Sequence, residues 1–248
     1  MRIAIIGTGN VGTHLFKALS GNSEYSVRLI NSRNLEGLTP EFDLILLSVS
    51  DSVLKDVAEA VAGKVAGHDP IVVHTAGSVP MEVLKPFFKN YGVFYPLQTF
   101  SKEIEIADYR EIPIFIEGKS PIIVEKLRGV AADFFDRQYI LDSNKREKLH
   151  LASVFACNFS NAMYGIAEDI LNENGLPFQV LLPLISQTAD KVRRISPYQA
   201  QTGPARRGDT LVMDKHLSSL SDDSMKRDIY KALSELLLKK YQNEQNRL

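Results

Sequence analysis

Short apolar runs alternate with segments of helical hydrophobic spacing in the first part of the chain. Runs of this kind, rich in β-branched residues, are typical of strands buried in a parallel sheet. The predicted strands cover residues 3–6, 26–30, 42–49, 71–74, 92–95, 112–117 and 138–141. The helical spacing falls between them, at residues 11–19, 52–62, 80–88 and 121–135. Because Pro113 cannot donate a ladder hydrogen bond, we expect residues 112–117 to form an edge strand.

The strand pattern stops after Asp142. Apolar residues then recur at helical spacing over residues 143–174, 177–195, 210–220 and 225–241. Gly175 suits the end of the first of these helices, and Pro183 should kink the second. The pattern therefore predicts an α/β domain over residues 1–142 and an all-helical domain over residues 143–248.

Composition excludes several classes of protein. Hydrophobic residues make up 44% of the 248 residues and charged residues 24%, which are ordinary globular values. The net charge of -1 provides no basic field for nucleic acid or for an anionic membrane surface. A single cysteine, Cys157, and the absence of a signal peptide or a membrane-length apolar run predict a cytoplasmic protein. No His/Cys spacing typical of a metal site occurs, so no metal is expected.

Three glycines follow the first predicted strand in the spacing G-x-G-x-x-G. They are Gly7, Gly9 and Gly12. Between a buried strand and a helix, this spacing indicates a dinucleotide-binding loop, in which the intervening Thr8, Asn10 and Val11 also contact the cofactor. In such loops the first glycine permits the turn, the second admits the diphosphate, and the third lets the helix approach the strand. The alternative is an ordinary strand-to-helix turn without a ligand.

The end of the second strand distinguishes NAD from NADP in folds of this kind. An NAD site has an acidic residue there, which holds the ribose 2′-hydroxyl, whereas an NADP site offers arginine to the 2′-phosphate. Here the strand leads into Asn31, Ser32 and Arg33. We therefore expect NADP, although Arg33 can also be read as a solvated loop residue.

The ends of the other strands supply further candidate contacts. Ser48 and Ser50 follow the third strand, and His74 ends the fourth. We assign all three to the cofactor; for His74 a hydrogen-bonded structural role is an equal alternative. Gln98, after the fifth strand, has an amide that can orient a substrate, or it can satisfy backbone groups of its own turn. Asp51 is expected to cap the following helix.

The helix at residues 143–174 has two distinct faces. One face is apolar and is expected to be core; its members are Ala152, Phe155, Phe159, Met163, Ile166 and Ile170. The opposite side carries short hydrogen-bonding residues rather than Lys and Glu, which is typical of a cleft or a subunit contact. His150 is the candidate proton donor, and Asn158 or Asn161 can hold a substrate or the nicotinamide amide. The alternative is a helix that packs on the first domain through satisfied polar groups.

A loop between two predicted helices carries Arg207 and Asp209. These two side chains either form a salt bridge that fixes the loop or face an anionic substrate, and we favour the salt bridge.

The quoted residues resemble a family of Rossmann-like proteins with an uncharacterised helical C-terminal domain, catalogued as NADP-dependent oxidoreductases. The likeness covers nearly the whole chain. The matching stretches are 7–12, 74–77, 96–100, His150 with Asn158, and 202–209, of which the last is the most specific. Family members often have His where this chain has Tyr95. More distantly, the layout is similar to pyrroline-5-carboxylate reductase and 6-phosphogluconate dehydrogenase, whose helical C-terminal domain commonly builds the dimer.

The resemblance implies an NADP-dependent oxidoreductase that passes hydride to or from a small carbonyl, imine or alcohol bound between the two domains. Gln98, His150 and Asn158 are the expected catalytic residues, and a homodimer through the helical domain is expected. The alternative is a non-catalytic NADP(H)-binding sensor whose helical domain binds a protein partner. The lack of a recognisable catalytic lysine or tyrosine pair favours that alternative.

Overall fold

The computed structural model describes residues 1–245 and divides the chain into two compact units, Met1–Phe159 and Ser160–Leu248. The sequence pattern had placed the boundary at residue 142. The difference arises because helix α4, Ser143–Ser153, is anchored to the sheet of the first unit. Its Arg146 is almost completely buried and pairs with Glu117 of the sheet.

The first unit is built on one seven-stranded sheet with the order β2-β1-β3-β4-β5-β6-β7. The strands are β1 (Arg2–Ile6), β2 (Ser26–Ile30), β3 (Leu44–Leu47), β4 (Ile71–His74), β5 (Asn90–Pro96), β6 (Ile114–Gly118) and β7 (Gln138–Ile140). All neighbouring pairs are parallel except β5 with β6. Because β1 lies between β2 and β3, the crossover direction reverses there, and ligands of such sheets bind at that point. The predicted α/β class is confirmed.

The alternating side chains of the strands build a core on each face of the sheet. Ala4 and Ile6 of β1 face a cluster that includes Val57 and Val61 of helix α2, Leu54–Lys64. Ile3 and Ile5 face the opposite cluster. That cluster includes residues of helix α1, Asn10–Leu19, and helix α3, Pro121–Ala132. The buried runs of the sequence therefore form strands covered on both faces.

Strand β6 is internal, so the predicted edge position is wrong. It lies between β5 and β7, and β2 and β7 form the edges of the sheet. Pro113 does not interrupt a ladder, because it precedes the first residue of β6 and contributes its carbonyl to the Leu97 N–H.

The predicted long helix at residues 143–174 consists of three consecutive segments. Helix α4 is followed by a π-helical segment at Val154–Phe159 and by helix α5 at Ser160–Glu173. Gly175, at φ +69°, follows α5 as predicted. The Leu176 N–H bonds back to the Leu171 carbonyl, and the Gly175 N–H bonds to that of Asn172. This hydrogen-bond pair is a common way of ending a helix.

The rest of the second unit is also helical. Its helices are α6 (Leu182–Arg194), α7 (Pro197–Ala200), α8 (Pro204–Arg207), α9 (Thr210–Ser219) and α10 (Ser224–Gln245). Pro183 lies in the first turn of α6 and does not kink a longer helix, because a 3₁₀ turn at Phe178–Leu181 precedes it. A proline is well tolerated at that position, where no N–H is needed.

The second unit buries few apolar side chains. Among its described residues, only Ala205, Met213 and Tyr241 are buried hydrophobics. The apolar face predicted to be core begins in the first unit and continues into the second. It is largely exposed, with Phe155 at 62% and Phe159 at 48%. The helical periodicity is correct, but most of these side chains are exposed and do not form a core.

Within residues 1–245, none of the helices combines the length and the apolar character that crossing a membrane requires.

Candidate active site

A cleft of about 1120 Å³ lies at the carboxyl ends of the strands of the first unit. Its lining comes from the turns after β1 to β5 and from α4 and the π-helical segment. The predicted site residues among its lining are Gly7, Thr8, Gly9, Asn10, Val11, Asn31, Ser32, Arg33, Ser48, Ser50, Gln98, His150 and Asn158. The structure therefore brings almost all of the predicted residues to one cavity.

The turn after β1 requires glycine at two of its positions. Gly7 has φ +119°, and a Cβ atom there would lie 2.0 Å from the Ser48 carbonyl oxygen. A Cβ atom on Gly12 would lie 2.0 Å from the Gly7 carbonyl oxygen. Gly12 does not line the cleft, and its smallness lets α1 close onto the turn.

The N-terminus of α1 opens onto the same cleft. Its capping residue, Gly9, has no side chain to bond the first N–H groups of the helix. Nothing lies within 4 Å of the position that a Cβ atom would take on Gly9. Unpaired N–H groups and the helix dipole together favour an anion at such a position.

The turn after β2 is held by its own side chains. The Asn31 Oδ1 atom accepts a hydrogen bond of 2.9 Å from the Arg33 N–H. Arg33 is exposed at the cleft, and among the described residues no carboxylate is paired with it. Its guanidinium is thus available to a bound anion.

The turn after β3 contributes Ser48, which is nearly buried, and the exposed Ser50. Asp51 does not cap the following helix as predicted, because the capping position falls at Ser50. The Asp51 carboxylate instead accepts a hydrogen bond from the Ser78 hydroxyl and lines the cleft.

His74 lies outside the cleft. Its side chain is completely buried, and its Nδ1 atom accepts a hydrogen bond of 3.2 Å from the Ala76 N–H. Burial, and after it the nearby Arg146 charge, lowers the pKa of His74 to about 3, so the ring stays neutral. The buried position does not fit the expected cofactor contact. It fits the alternative, in which His74 has a structural role and its hydrogen bond holds the loop after β4.

Gln98 lines the cleft, but its side chain is partly engaged. Its Oε1 atom accepts a hydrogen bond of 2.8 Å from the Thr99 N–H. The side-chain NH₂ group is the part of the amide that remains to face a ligand. Both alternatives drawn from the sequence are thus compatible with the observed turn.

Five residues from α4 and the π-helical segment complete the cleft. They are His150, Ser153, Ala156, Cys157 and Asn158. A regular α-helix turns about 100° per residue, so three consecutive residues seldom share one side. The wider π turn brings residues 156–158 to the same cavity, and such turns are frequent at functional sites.

Tyr95, which was not among the expected site residues, lies against His150. The Tyr95 hydroxyl and His150 Nδ1 are 3.1 Å apart, and Tyr95 lines the cleft. One signal in the sequence points to it: Tyr95 is at the end of β5, where ligands of such sheets bind. The pairing itself joins residues 55 positions apart and has no local pattern.

A buried cation holds α4 in place. The Arg146 guanidinium pairs with Glu117 and also donates to the Val79 carbonyl and the Ser143 hydroxyl. Ser143 in turn donates to Glu117 and accepts from the Met81 N–H. This network ties α4, and therefore His150, to β6 and to the loop after β4.

The expected salt bridge between Arg207 and Asp209, in the second unit, does not form. Asp209 instead caps α9 by accepting a hydrogen bond from the Val212 N–H, and Arg207 is exposed. The neighbouring Arg206 fixes the loop, because its guanidinium donates to the Gln201 carbonyl.

The fold is therefore a Rossmann-like domain joined to a helical unit, with a cleft at the sheet edge where ligands of such folds bind. Residues 24–98 match a Rossmann-like domain, and residues 112–237 match a domain of unknown function, DUF2520. Since the second match covers half of the chain, the chain belongs to the DUF2520 family.

Several solved structures are similar to almost the whole chain. A "putative NADP oxidoreductase" from Bacteroides fragilis is 40% identical, with a TM-score of 0.88 over 96% of this chain and 98% of that one. A protein from Thermotoga maritima is 20% identical, with a TM-score of 0.70 over 98% and 99% of the two chains. A pyrroline carboxylate reductase from Plasmodium falciparum, solved with NADP bound, is 12% identical, with a TM-score of 0.60 over 97% of each chain. The last two likenesses show the fold alone. No curated protein matches the chain.

Proposed function

We propose that this protein is an NADP-dependent oxidoreductase that transfers hydride to or from a small carbonyl, imine or alcohol. One observation carries the proposal: a single cleft contains the glycine turn, the Arg33 turn and the His150 helix. An NADP oxidoreductase needs an anion site, a 2′-phosphate site and a proton-transferring group together. The description of the Bacteroides fragilis relative supports the same activity.

The cofactor contacts follow from the geometry of the turns. The N–H groups from Gly7 to Gly12, with Thr8, Asn10 and Val11, would hold the diphosphate. Asn31, Ser32 and Arg33 would hold the 2′-phosphate, for which a guanidinium offers paired donors. Ser48 and Ser50 would face the remaining parts of the cofactor.

The substrate would lie against α4 and the π-helical segment. Gln98 and Asn158 present amides that can hold a carbonyl oxygen or an imine nitrogen. His150 is partly exposed and is the source of the proton that accompanies hydride transfer. The bound cofactor supplies the hydride itself, and the protein supplies orientation and the proton.

Calorimetric titration with NADPH and NADH tests the cofactor assignment. Arg33→Asp should weaken NADPH binding at least about 30-fold more than NADH binding, because it removes a charge-assisted bond worth roughly 2 kcal/mol. Arg28→Asp is the matched control, since Arg28 is exposed on β2 but does not line the cleft. Equal losses for both cofactors would exclude the 2′-phosphate role of Arg33.

An assay of NADPH turnover distinguishes the proposed oxidoreductase from a non-catalytic NADP(H) sensor. NADPH oxidation should be measured with a neutral cyclic imine, a cyclic imine carboxylate and a keto acid as probes. Oxidation that depends on one of these probes supports the oxidoreductase. Tight NADPH binding with no oxidation in the presence of any probe supports the non-catalytic alternative.

We also propose that the helical unit forms a homodimer. Its exposed large apolar side chains include Leu176, Val180, Leu182, Leu184, Val192, Leu211, Met225, Leu233 and Leu236. Exposed apolar side chains in this number favour an interaction site, and obligate homodimers have apolar interfaces. A unit that buries so few apolar side chains by itself requires a partner for its stability. A second copy of the same chain is available wherever the protein is synthesised.

A further inference from the structure

Tyr95 and His150 form the closest pair of polar aromatic side chains in the cleft. Their rings meet edge to face, with centroids 6.1 Å apart and an interplanar angle of 72°. The Tyr95 hydroxyl lies 3.1 Å from His150 Nδ1. Both side chains line the cleft, but Tyr95 is 8% exposed whereas His150 is more accessible.

Gly77 makes this pair possible. A Cβ atom on Gly77 would lie 2.5 Å from His150 Nδ1 and 2.9 Å from Tyr95 Cζ, closer than such atoms approach in proteins. Any larger residue at position 77 would have to displace one ring. The loop after β4 therefore has its glycine where the two rings meet.

The hydroxyl should be the donor when His150 is neutral. Burial raises the pKa of Tyr95, the Arg146 charge lowers it and the Asp51 charge raises it, and the net shift is upward. Tyr95 therefore remains a phenol, and its hydrogen needs an acceptor in this mostly buried position. Since Nδ1 is the acceptor within reach, the neutral imidazole should carry its own proton on Nε2.

We propose that Tyr95 and His150 form a proton relay in which the Tyr95 hydroxyl gives the proton to the reacting atom and His150 Nδ1 restores it. The inference rests on the proposed oxidoreductase function and identifies the path of its proton. A reduced nicotinamide cofactor supplies the hydride.

The relay balances in protons and charge. His150 first takes up a solvent proton and becomes an imidazolium, whose Nδ1–H donates to the Tyr95 oxygen and turns the phenolic hydrogen toward the substrate. As hydride reaches the carbon of the C=N or C=O bond, the phenolic hydrogen passes to its nitrogen or oxygen. The Nδ1 proton passes to the Tyr95 oxygen at the same time. The phenol is restored, His150 is neutral with hydrogen on Nε2, and the positive charge has moved to the oxidised cofactor.

The relay explains why a buried phenol is paired with an accessible imidazole. Tyrosine acting alone would leave a phenolate, and desolvation disfavours that charge. A second group that returns a proton in the same step avoids the phenolate. His150 is the group that exchanges with solvent, because it is the more exposed of the two.

Nitrogen NMR of protein labelled at histidine tests the pairing without any substrate. The five histidine signals are assigned with a His150→Ala variant. At a pH where His150 is neutral, its Nδ1 should be unprotonated and its Nε2 protonated. Tyr95→Phe removes the hydroxyl and keeps the ring, so the two tautomers should then mix. A protonated Nδ1 in the wild type, or an unchanged Tyr95→Phe spectrum, would overturn the relay.

Gly77→Ala separates the pair while keeping both reacting groups. It should change the His150 signals in the same sense as Tyr95→Phe. Gly129→Ala is the matched control, because nothing lies within 4 Å of the position of its added Cβ atom. Unperturbed His150 signals in a folded Gly77→Ala variant would contradict the packing on which the relay depends.

Kinetics with NADPH and a neutral cyclic imine test the chemical step. Tyr95→Phe should lower kcat at least about 100-fold, as expected for a general acid, while NADPH affinity stays unchanged. The double variant with His150→Ala should be no slower than Tyr95→Phe alone, because members of one relay are not additive. A Tyr95→Phe enzyme that keeps most of its kcat, while His150→Ala loses it, overturns the relay and leaves the proposed function standing.

Different results would show that the proposed function itself, and not only the relay, is wrong. If calorimetry detects no NADPH binding, the oxidoreductase assignment and the relay both fail. If NADPH binds but no probe is reduced, the outcome counts against the relay and supports the sensor.

Discussion

Single residues decide where a ligand can approach the turn after β1. Gly7 and Gly12 are packed against backbone atoms, whereas the space beside Gly9 is open. The three glycines of one motif therefore serve different purposes. Two shape the turn, and one leaves room for what binds to it.

Gly9→Ala should separate binding from folding. Its Cβ atom meets nothing within 4 Å in the free protein, so the melting temperature should fall only slightly, by the small cost of alanine at a helix N-cap. The same methyl group should lower NADPH affinity at least about tenfold, because it occupies the approach of the diphosphate. Calorimetry and thermal melting measure the two effects. Gly63→Ala, which is also open but lies away from the cleft in α2, should leave the NADPH affinity unchanged and should not lower the melting temperature, because alanine favours a helix. Undiminished affinity in Gly9→Ala would place the diphosphate elsewhere.

His74 should make stability depend on pH. Because its pKa is lowered to about 3 in the folded protein, against 6.5 for the free side chain, only the unfolded chain takes up this proton between those values. Stability is therefore full above the unfolded pKa and falls as the pH drops below it, by at most about 1.4 kcal/mol per pH unit.

His74→Asn tests this dependence by urea denaturation at several pH values. The amide oxygen keeps an acceptor for the Ala76 N–H, but it does not titrate. Between about pH 6 and pH 4, unfolding of the variant should take up one proton fewer than unfolding of the wild type. The stability of the variant should therefore fall less steeply as the pH is lowered. An unchanged dependence would show that His74 is not the group responsible.

At the scale of elements, the site depends on how α4 is fixed to the sheet. Arg146 is 1% exposed in its side chain and Glu117 13%, whereas most ion pairs among the described residues are open to solvent. A buried charge without its partner is strongly destabilising, and exposed pairs contribute little.

Arg146→Ala should therefore lower the free energy of unfolding by about 3 kcal/mol. Arg110→Ala, which breaks an ion pair with side chains 56% and 59% exposed, should cost less than about 1 kcal/mol. Urea denaturation of both variants gives the comparison. Similar losses in the two would mean that the network of Arg146 does not anchor α4.

The π-helical segment is a second feature of this scale. Hydrophobic periodicity predicts a helix over residues 143–174, and a helix is found there. The same periodicity does not reveal a wide turn at Val154–Phe159, because a change of the hydrogen-bond partner leaves the apolar spacing almost intact. The positions of Cys157 and Asn158 at the cleft thus depend on a local geometry that the pattern does not contain.

At the scale of the whole molecule, the two units differ in what they bury. The sheet of the first unit has a core on each face, whereas the described residues of the second unit bury three hydrophobic side chains. The proposed homodimer accounts for this difference, because the missing core would then be formed between two copies.

Leu236→Asp should disrupt that dimer. Leu236 is 63% exposed on α10, so the change costs little within one chain. At a central interface position it should cost about 2 kcal/mol, or about 30-fold in the dimer Kd. Analytical ultracentrifugation measures the shift. Ile122→Asp, at a 69% exposed site on α3, is the control. A wild-type protein that stays monomeric at micromolar concentration would contradict the dimer.

The sequence by itself determined the order of the strands in the first unit, its helices α1, α2 and α3, and the location of the glycine turn. The helix expected at residues 80–88 is only a 3₁₀ turn at Met81–Leu84. The strands and the glycine turn depend on neighbours along the chain, since a buried strand needs a continuous apolar run and a tight turn needs glycine. The candidate contacts after β1, β2 and β3 follow from the same rule, because parallel strands end at one edge of the sheet.

Only the tertiary structure decided which side chains meet. It buried His74, moved β6 from the edge to the interior, assigned α4 to the first unit and brought Tyr95 to His150 across 55 positions of the chain. Contacts of this kind depend on how distant elements pack, and no local period of the sequence records that packing. For the same reason, the apolar stripes of the helical unit are visible in the sequence, whereas the surface that covers them in the proposed homodimer depends on packing between two chains.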